Sequence, residues 1–164
     1  MIKKHKNLLT HDECELIMYM YRSLSNTVII DDQVRDRHYP SAVGHFMISE
    51  FSADEFASLW DSLSTRLNNE YKLIYTRVLK YNRTCHIPEH VDGFTESQQP
   101  NDVSLICQLC EPSSYIGGEM IVSQRQINLE KGDAVYYTYD HEHAVNYVEK
   151  GVRYVLNLRL KKVK

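Results

Sequence analysis

The stretch "HAVNYVEKGVRYVLNLRL", His143 to Leu160, sets the fold class. Valine, tyrosine and leucine crowd both halves, and Glu149-Lys150-Gly151 between them reads as a turn. β-branched and aromatic residues fit a pleated, half-buried surface, so each half reads as a strand. Pairing across the turn with Val148 opposite Val152 predicts that odd-numbered residues of both strands share one face. That face would carry His141 and His143 from the first strand, and Arg153, Asn157 and Arg159 from the second.

The same texture extends upstream. "LIYTRVLKY", "VSLICQL", "GGEMIVS", "RQINL" and "AVYYTY" are short and interrupted by Gly, Asn and Asp turns such as "EKGD". Strands at this spacing, without helices between them, predict an antiparallel sandwich or barrel rather than a parallel sheet. Two helices precede them. Thr10-His11-Asp12-Glu13 and Ser52-Ala53-Asp54-Glu55 are capping boxes. Cys14, Ile17, Met18, Tyr21 and Leu24 form the apolar side of the first helix, and Phe56, Leu59, Trp60, Leu63 and Leu67 that of the second. Both helices are expected to buttress the sheet. The polar stretch "IIDDQVRDRHYPSAVG" between them, which holds His38, reads as a long surface loop.

Composition narrows the function classes. The 164 residues are 43% hydrophobic and 25% charged with net charge −3, the profile of one globular domain without an electrostatic footprint for nucleic acid or anionic membrane. The N-terminus lacks an apolar signal-peptide core, and no apolar run reaches bilayer-spanning length. Cys14, Cys85, Cys107 and Cys110 form no disulfide-like framework, and the lone C-x-x-C has no second pair for zinc. The expected setting is the reducing cytoplasm.

Chemistry concentrates in "YNRTCHIPEHVDGF", Tyr81 to Phe94. On an extended strand His90 and Asp92 point to the same side, placing an imidazole beside a carboxylate. A third ligand must come from a distant strand, and His141 and His143 are the candidates. Two imidazoles and one carboxylate with open positions form the facial triad of non-heme iron(II) oxygenases. A 2-keto acid cosubstrate chelating that iron would leave its far carboxylate needing a buried cation. Arg153 suits this need, because a guanidinium grips a carboxylate with two parallel hydrogen bonds. Parity alone does not choose between the histidines. His86 and Glu89 are expected outside the site.

Residues 75 to 160 resemble the prolyl 4-hydroxylase-like branch of the 2-oxoglutarate/Fe(II) dioxygenases. Tyr81 lies nine residues before the H-x-D histidine, Gly117-Gly118-Glu119 precedes a strand, and Lys131-Gly132-Asp133-Ala134 leads into an aromatic one. After His143 come Val148 at +5, Gly151 at +8 and Arg153 at +10, whereas counting from His141 gives no match. The resemblance implies His143 as third ligand with His90 and Asp92, Arg153 as the 2-oxoglutarate anchor, and Tyr81 as a hydroxyl contact to that cosubstrate. Asn157 shares the inward parity and is a candidate cosubstrate contact. Three positions depart from the family pattern: Ile87 and Gln108-Leu109-Cys110 where tyrosines are usual, and Arg159 where tryptophan is usual. Arg159, beside Lys161 and Lys162, is expected to face solvent.

The resemblance further implies a double-stranded β-helix (a jelly-roll, cupin-like fold). This would be a single domain over 1–164, with the helical buttress at about 10–73 and the jelly-roll core at about 74–160. The implied cofactor is Fe(II), with 2-oxoglutarate and O2 as cosubstrates and ascorbate as reductant. The expected activity is hydroxylation of a C–H bond in a protein or peptide, of prolyl 4-hydroxylase type, by a monomer or weak dimer. The alternatives are a hydroxylase of a free amino acid or small molecule, a metal-binding jelly-roll interaction module, and a nucleic-acid oxidative demethylase. The R-x5-R of Arg153 and Arg159 favours the demethylase, while the acidic charge and Leu79 in place of an asparagine oppose it. "DDQVRDRHYPSAVG" and "GFTESQQPND" are the expected substrate lids.

Overall fold

A computed structural model describes residues 1–31, 44–92 and 102–163. In chain order they form β1 (Ile2–His5), α1 (His11–Arg22), β2 (Val28–Ile30), β3 (Phe46–Phe51), α2 (Ala53–Arg66), β4 (Tyr71–Tyr81) and β5 (Ile87–His90). Then follow β6 (Val103–Gln108), β7 (Tyr115–Gly117), β8 (Met120–Val122), β9 (Arg125–Ile127), β10 (Ala134–Thr138), β11 (His143–Val145), β12 (Val148–Gly151) and β13 (Arg153–Lys162).

The strands build a seven-stranded sheet of order β1-β10-β6-β13-β4-β3-β2 and a four-stranded sheet of order β5-β11-β8-β9, and β12 pairs with β7. Every pairing is antiparallel. This is the jelly-roll expected from the sequence, with two sheets closing around one interior.

Central β13 shows how alternation divides the molecule. Leu156, Leu158 and Leu160 join a cluster with Cys14 and Ile17 of α1 and Phe56, Leu59 and Leu63 of α2. Val155 joins a second cluster with Leu79, Ile106 and Val135 of the large sheet and Met120, Val122 and Val145 of the small one. The helices therefore cover one face of the large sheet, and the other face looks into the jelly-roll. The site lies on that inner face.

Both capping boxes form as read: the Thr10 and Ser52 side chains accept from the backbone N–H of Glu13 and Glu55, whose carboxylates accept in return. Glu13 also takes two hydrogen bonds of 2.8 Å from the Arg66 guanidinium, which locks α1 to the end of α2. Arg66 thereby holds the Glu13 carboxyl down at about 2.

Two expectations fail. The segments around Glu149-Lys150-Gly151 do not form a hairpin: β11 pairs with β5 and β8, while β13 pairs with β4 and β6. Between them β12 crosses from one sheet to the other along β7, with an irregularity between Val148 and Lys150. Gly151 has φ 77°, and any side chain there would run into the Ser114 carbonyl, so the chain turns where only glycine fits. Second, strands begin well before residue 74, since β1, β2 and β3 all belong to the large sheet. β1 is a charged edge strand, and β3 abuts the Ser52 cap without a turn, so neither stood out in the sequence.

Candidate active site

His90 ends β5 and His143 opens β11, and the two residues are register partners across the small sheet. Their rings lie 4.2 Å apart between centroids. Asp92 follows two residues after His90, and one potential ligand atom from each of His90, Asp92 and His143 falls within 4.8 Å of the others. Asp92 Oδ1 is 3.7 Å from His90 Nε2 and 3.6 Å from His143 Nε2.

The backbone orients both rings. His90 Nδ1 is 2.9 Å from the Pro88 carbonyl, and His143 Nδ1 is 3.0 Å from the His141 carbonyl. A carbonyl only accepts, so each Nδ1 carries its proton there and Nε2 presents its lone pair to the cluster. Burial opposes charge on His90, but bonds to Asp92 and Pro88 outweigh it and raise the pKa. Burial lowers that of His143. Asp92 is also penalised by burial, yet His90 and Arg159 hold it well below the usual carboxylate range. A carboxylate flanked by two imidazoles whose Nε2 atoms converge on it is the donor set of a divalent metal, and these three residues could hold Fe(II).

His141 takes a different place. Its ring meets Ser123 Oγ at 2.7 Å, and it serves His143 through its carbonyl. His86 stacks on Tyr147 with centroids 4.0 Å apart, and Glu89 is exposed. Both lie outside the cluster, as expected.

Arg153 is 3% exposed. Its Nε donates to Gln108 Oε1 at 3.3 Å, while its Nη1 is buried with no hydrogen-bond partner among the described residues. Gln108 is itself held, donating to the Tyr115 hydroxyl at 3.1 Å and the Cys110 carbonyl at 3.2 Å. Gln108 thus occupies the position where the family pattern has tyrosine, and Tyr115 brings a hydroxyl to it from β7. A buried guanidinium with an open N–H is costly unless an anion completes it. A carboxylate of 2-oxoglutarate fits that need. Gly118 clears the space above: a Cβ there would meet Val148 Cγ2 at 2.8 Å and Arg153 Cδ at 3.5 Å.

Tyr81 and Arg153 are register partners, and the guanidinium carbon lies 5.5 Å from the Tyr81 ring centroid. Tyr81 is buried and stacks on Phe46. Burial pushes its phenol well above the ordinary value. Asn157 also faces inward, and its Oδ1 is buried without a partner among the described residues.

Arg159 corrects the sequence reading. Instead of facing solvent, its side chain is 9% exposed and donates to Asp92 Oδ2 at 2.6 Å. The parity of β13 already placed it inward with Arg153. Lys161 and Lys162 suggested a solvated end, but the register shifts between Arg159 and Leu160, and only the lysines emerge. Ser104, Tyr75 and Tyr137 were also missed. Ser104 and Tyr75 touch Arg159, and Tyr137 lies 4.9 Å from the His143 ring. Strand alternation was the available signal for each, but it does not separate a site residue from a core one. Most of both expected lids, and His38, fall outside the described residues.

Comparison with known proteins places the chain in a family. The PKHD-type hydroxylase YbiX of Shigella sonnei (strain Ss046) is 36% identical over 106 residues, 59% of this chain and 43% of YbiX. The chain thus spans less than half the length of that relative. The viral collagen prolyl hydroxylase of Paramecium bursaria Chlorella virus-1, solved with 2-oxoglutarate, superposes with TM-score 0.71 at 17% identity, covering 99% of this chain and 96% of that one. The prolyl hydroxylase of Trichoplax adhaerens, solved with a hypoxia inducible factor peptide fragment, gives 0.68 at 16%, covering 98% and 83%. At these identities the two structures share the fold. Residues 76–160 match the family model from within β4 to near the end of β13, over half of the chain, and by that match the chain belongs to the 2OG-Fe(II) oxygenase superfamily.

Proposed function

We propose that the chain is an Fe(II)- and 2-oxoglutarate-dependent dioxygenase that hydroxylates a C–H bond, of peptidyl prolyl 4-hydroxylase type. The observation that carries this reading is the His90–Asp92–His143 cluster, whose ligand atoms lie within 4.8 Å of one another. In this reading the iron and 2-oxoglutarate, when bound, supply the activation of O2 that C–H hydroxylation requires. The protein supplies the rest. His90, Asp92 and His143 would hold the metal. Arg153, aimed by Gln108, takes the far carboxylate of 2-oxoglutarate, while Tyr81 and Asn157 line its path. Ascorbate, keeping the iron ferrous, belongs to the same reading.

A protein or peptide substrate is supported by the collagen prolyl hydroxylase and the peptide-bound prolyl hydroxylase among the structural neighbours. All four cysteines are free thiols, which fits a reducing cytoplasm. No helix among the described residues is long and apolar enough to cross a membrane.

The test is incubation with Fe(II), 2-oxoglutarate and a library of proline-containing peptides, read by mass spectrometry. The reading predicts gain of one oxygen on proline together with succinate. Succinate driven by free amino acids, with no oxidised peptide, would move the substrate to small molecules. No 2-oxoglutarate turnover with any candidate substrate would leave a metal-bound interaction module.

A further inference from the structure

The two oxygens of Asp92 have different surroundings. Oδ1 faces both imidazoles, at 3.7 Å and 3.6 Å. Oδ2 instead accepts from Arg159 Nη1 at 2.6 Å and from the Ser104 hydroxyl at 3.0 Å. The same Nη1 donates to Ser104 Oγ at 2.5 Å, which closes a three-membered ring of hydrogen bonds around Oδ2. Arg159 is fixed in turn by Tyr75, whose hydroxyl accepts from its Nε at 3.0 Å, and by the Tyr139 ring 4.0 Å from its guanidinium carbon. Arg159 belongs to β13, Ser104 to β6 and Tyr75 to β4, so the large sheet reaches across the interior to hold a ligand that follows the small sheet.

We propose that Arg159 and Ser104 are positioning residues for Asp92: they occupy Oδ2 and leave Oδ1 alone to bind the metal. This rests on the metal-site reading above. A carboxylate can take a metal through one oxygen or two, and a divalent ion in an open site gains most when the ligand is already aimed. Charged bonds from a buried guanidinium are strong and directional, so they would hold Oδ2 and leave Oδ1 free for a metal. Arg159 also compensates the carboxylate before any ion arrives, which keeps the cluster assembled.

Mn(II), a redox-silent stand-in for Fe(II), tests this through the paramagnetic resonance of the free ion, with circular dichroism confirming the fold of each variant. Changing outer partners of metal ligands weakens metal binding about 10–100-fold. Arg159→Met is therefore expected to raise the Mn(II) dissociation constant at least fivefold, and Arg159→Lys, which keeps a cationic donor near Oδ2, to recover part of that loss. If Arg159→Met does not fold, Ser104→Ala carries the test, with at least a twofold increase expected. A folded Arg159→Met variant that loses less than fivefold, or binds more tightly, would overturn the proposal. So would an unchanged Ser104→Ala in its place. Failure of the unaltered chain to bind Mn(II) is a separate outcome, one that removes the metal-site reading and this proposal with it.

Discussion

Arg153 stands on the inner face of the large sheet with a buried Nη1 that has no hydrogen-bond partner among the described residues. Under the proposed function that guanidinium is a cost which the far carboxylate of 2-oxoglutarate would repay. Replacing it with methionine of similar length should therefore hold or raise the melting temperature of the ligand-free protein. It should abolish the stabilisation that 2-oxoglutarate gives the Mn(II)-loaded one. Thermal unfolding with and without 2-oxoglutarate measures both at once, and a retained 2-oxoglutarate shift would place the anchor elsewhere. Arg153→Lys keeps charge without the fork and should bind 2-oxoglutarate between the two. The sequence made Arg153 legible because strand parity and the +10 spacing agree on it. Arg159 was misjudged because adjoining lysines look like a solvated end, whereas burial depends on the register shift beside it.

At the scale of elements, the helices were readable and the crossing between the sheets was not. A capping box and an apolar stripe are local, so α1 and α2 stood in the sequence with their buried faces, and Phe56, Leu59 and Leu63 pack as read. Phe56→Ala should cost about 3–5 kcal/mol in denaturant unfolding, the range for a large aromatic removed from a closed core. The Glu13–Arg66 bridge gives a pH signature. Its carboxyl falls from an ordinary 4.5 to about 2, chiefly through the Arg66 hydrogen bonds. A folded-state pKa below the unfolded one stabilises the protein at pH values above the unfolded pKa, and this is lost as pH falls through the folded one. The unaltered chain should exceed Glu13→Gln in stability near neutrality, and the gap should close between about pH 4.5 and 2. A gap that does not narrow between about pH 4.5 and 2 would assign the difference to packing. The supposed hairpin failed for a non-local reason. Strand texture reports that a segment is extended, and partner choice is fixed by the rest of the fold. Here β11 and β13 lie in different sheets, and a glycine-bound crossing stands where a turn was read.

Across the whole molecule, the facing of the two sheets explains why His143 and Arg153 share one interior although the hairpin expected between them does not form. His143 and Arg153 share the interior because each sheet turns its inner face toward the other, an arrangement that mimics the parity of a hairpin. The large sheet supplies Arg153, Gln108, Tyr81 and Arg159, and the small sheet and its continuation supply His90, His143 and Asp92. The three candidate ligands come from the small sheet and its continuation, and their contact with Arg159 of the large sheet depends on the two sheets packing together. The most direct test of the account is calorimetric binding of 2-oxoglutarate, under anaerobic conditions, to the chain loaded with Fe(II). One-to-one binding is expected that requires the metal, is lost in His143→Ala and survives in His141→Ala, whose backbone carbonyl still aims His143. Binding that ignores the metal, or that is lost with His141 and kept without His143, would contradict it.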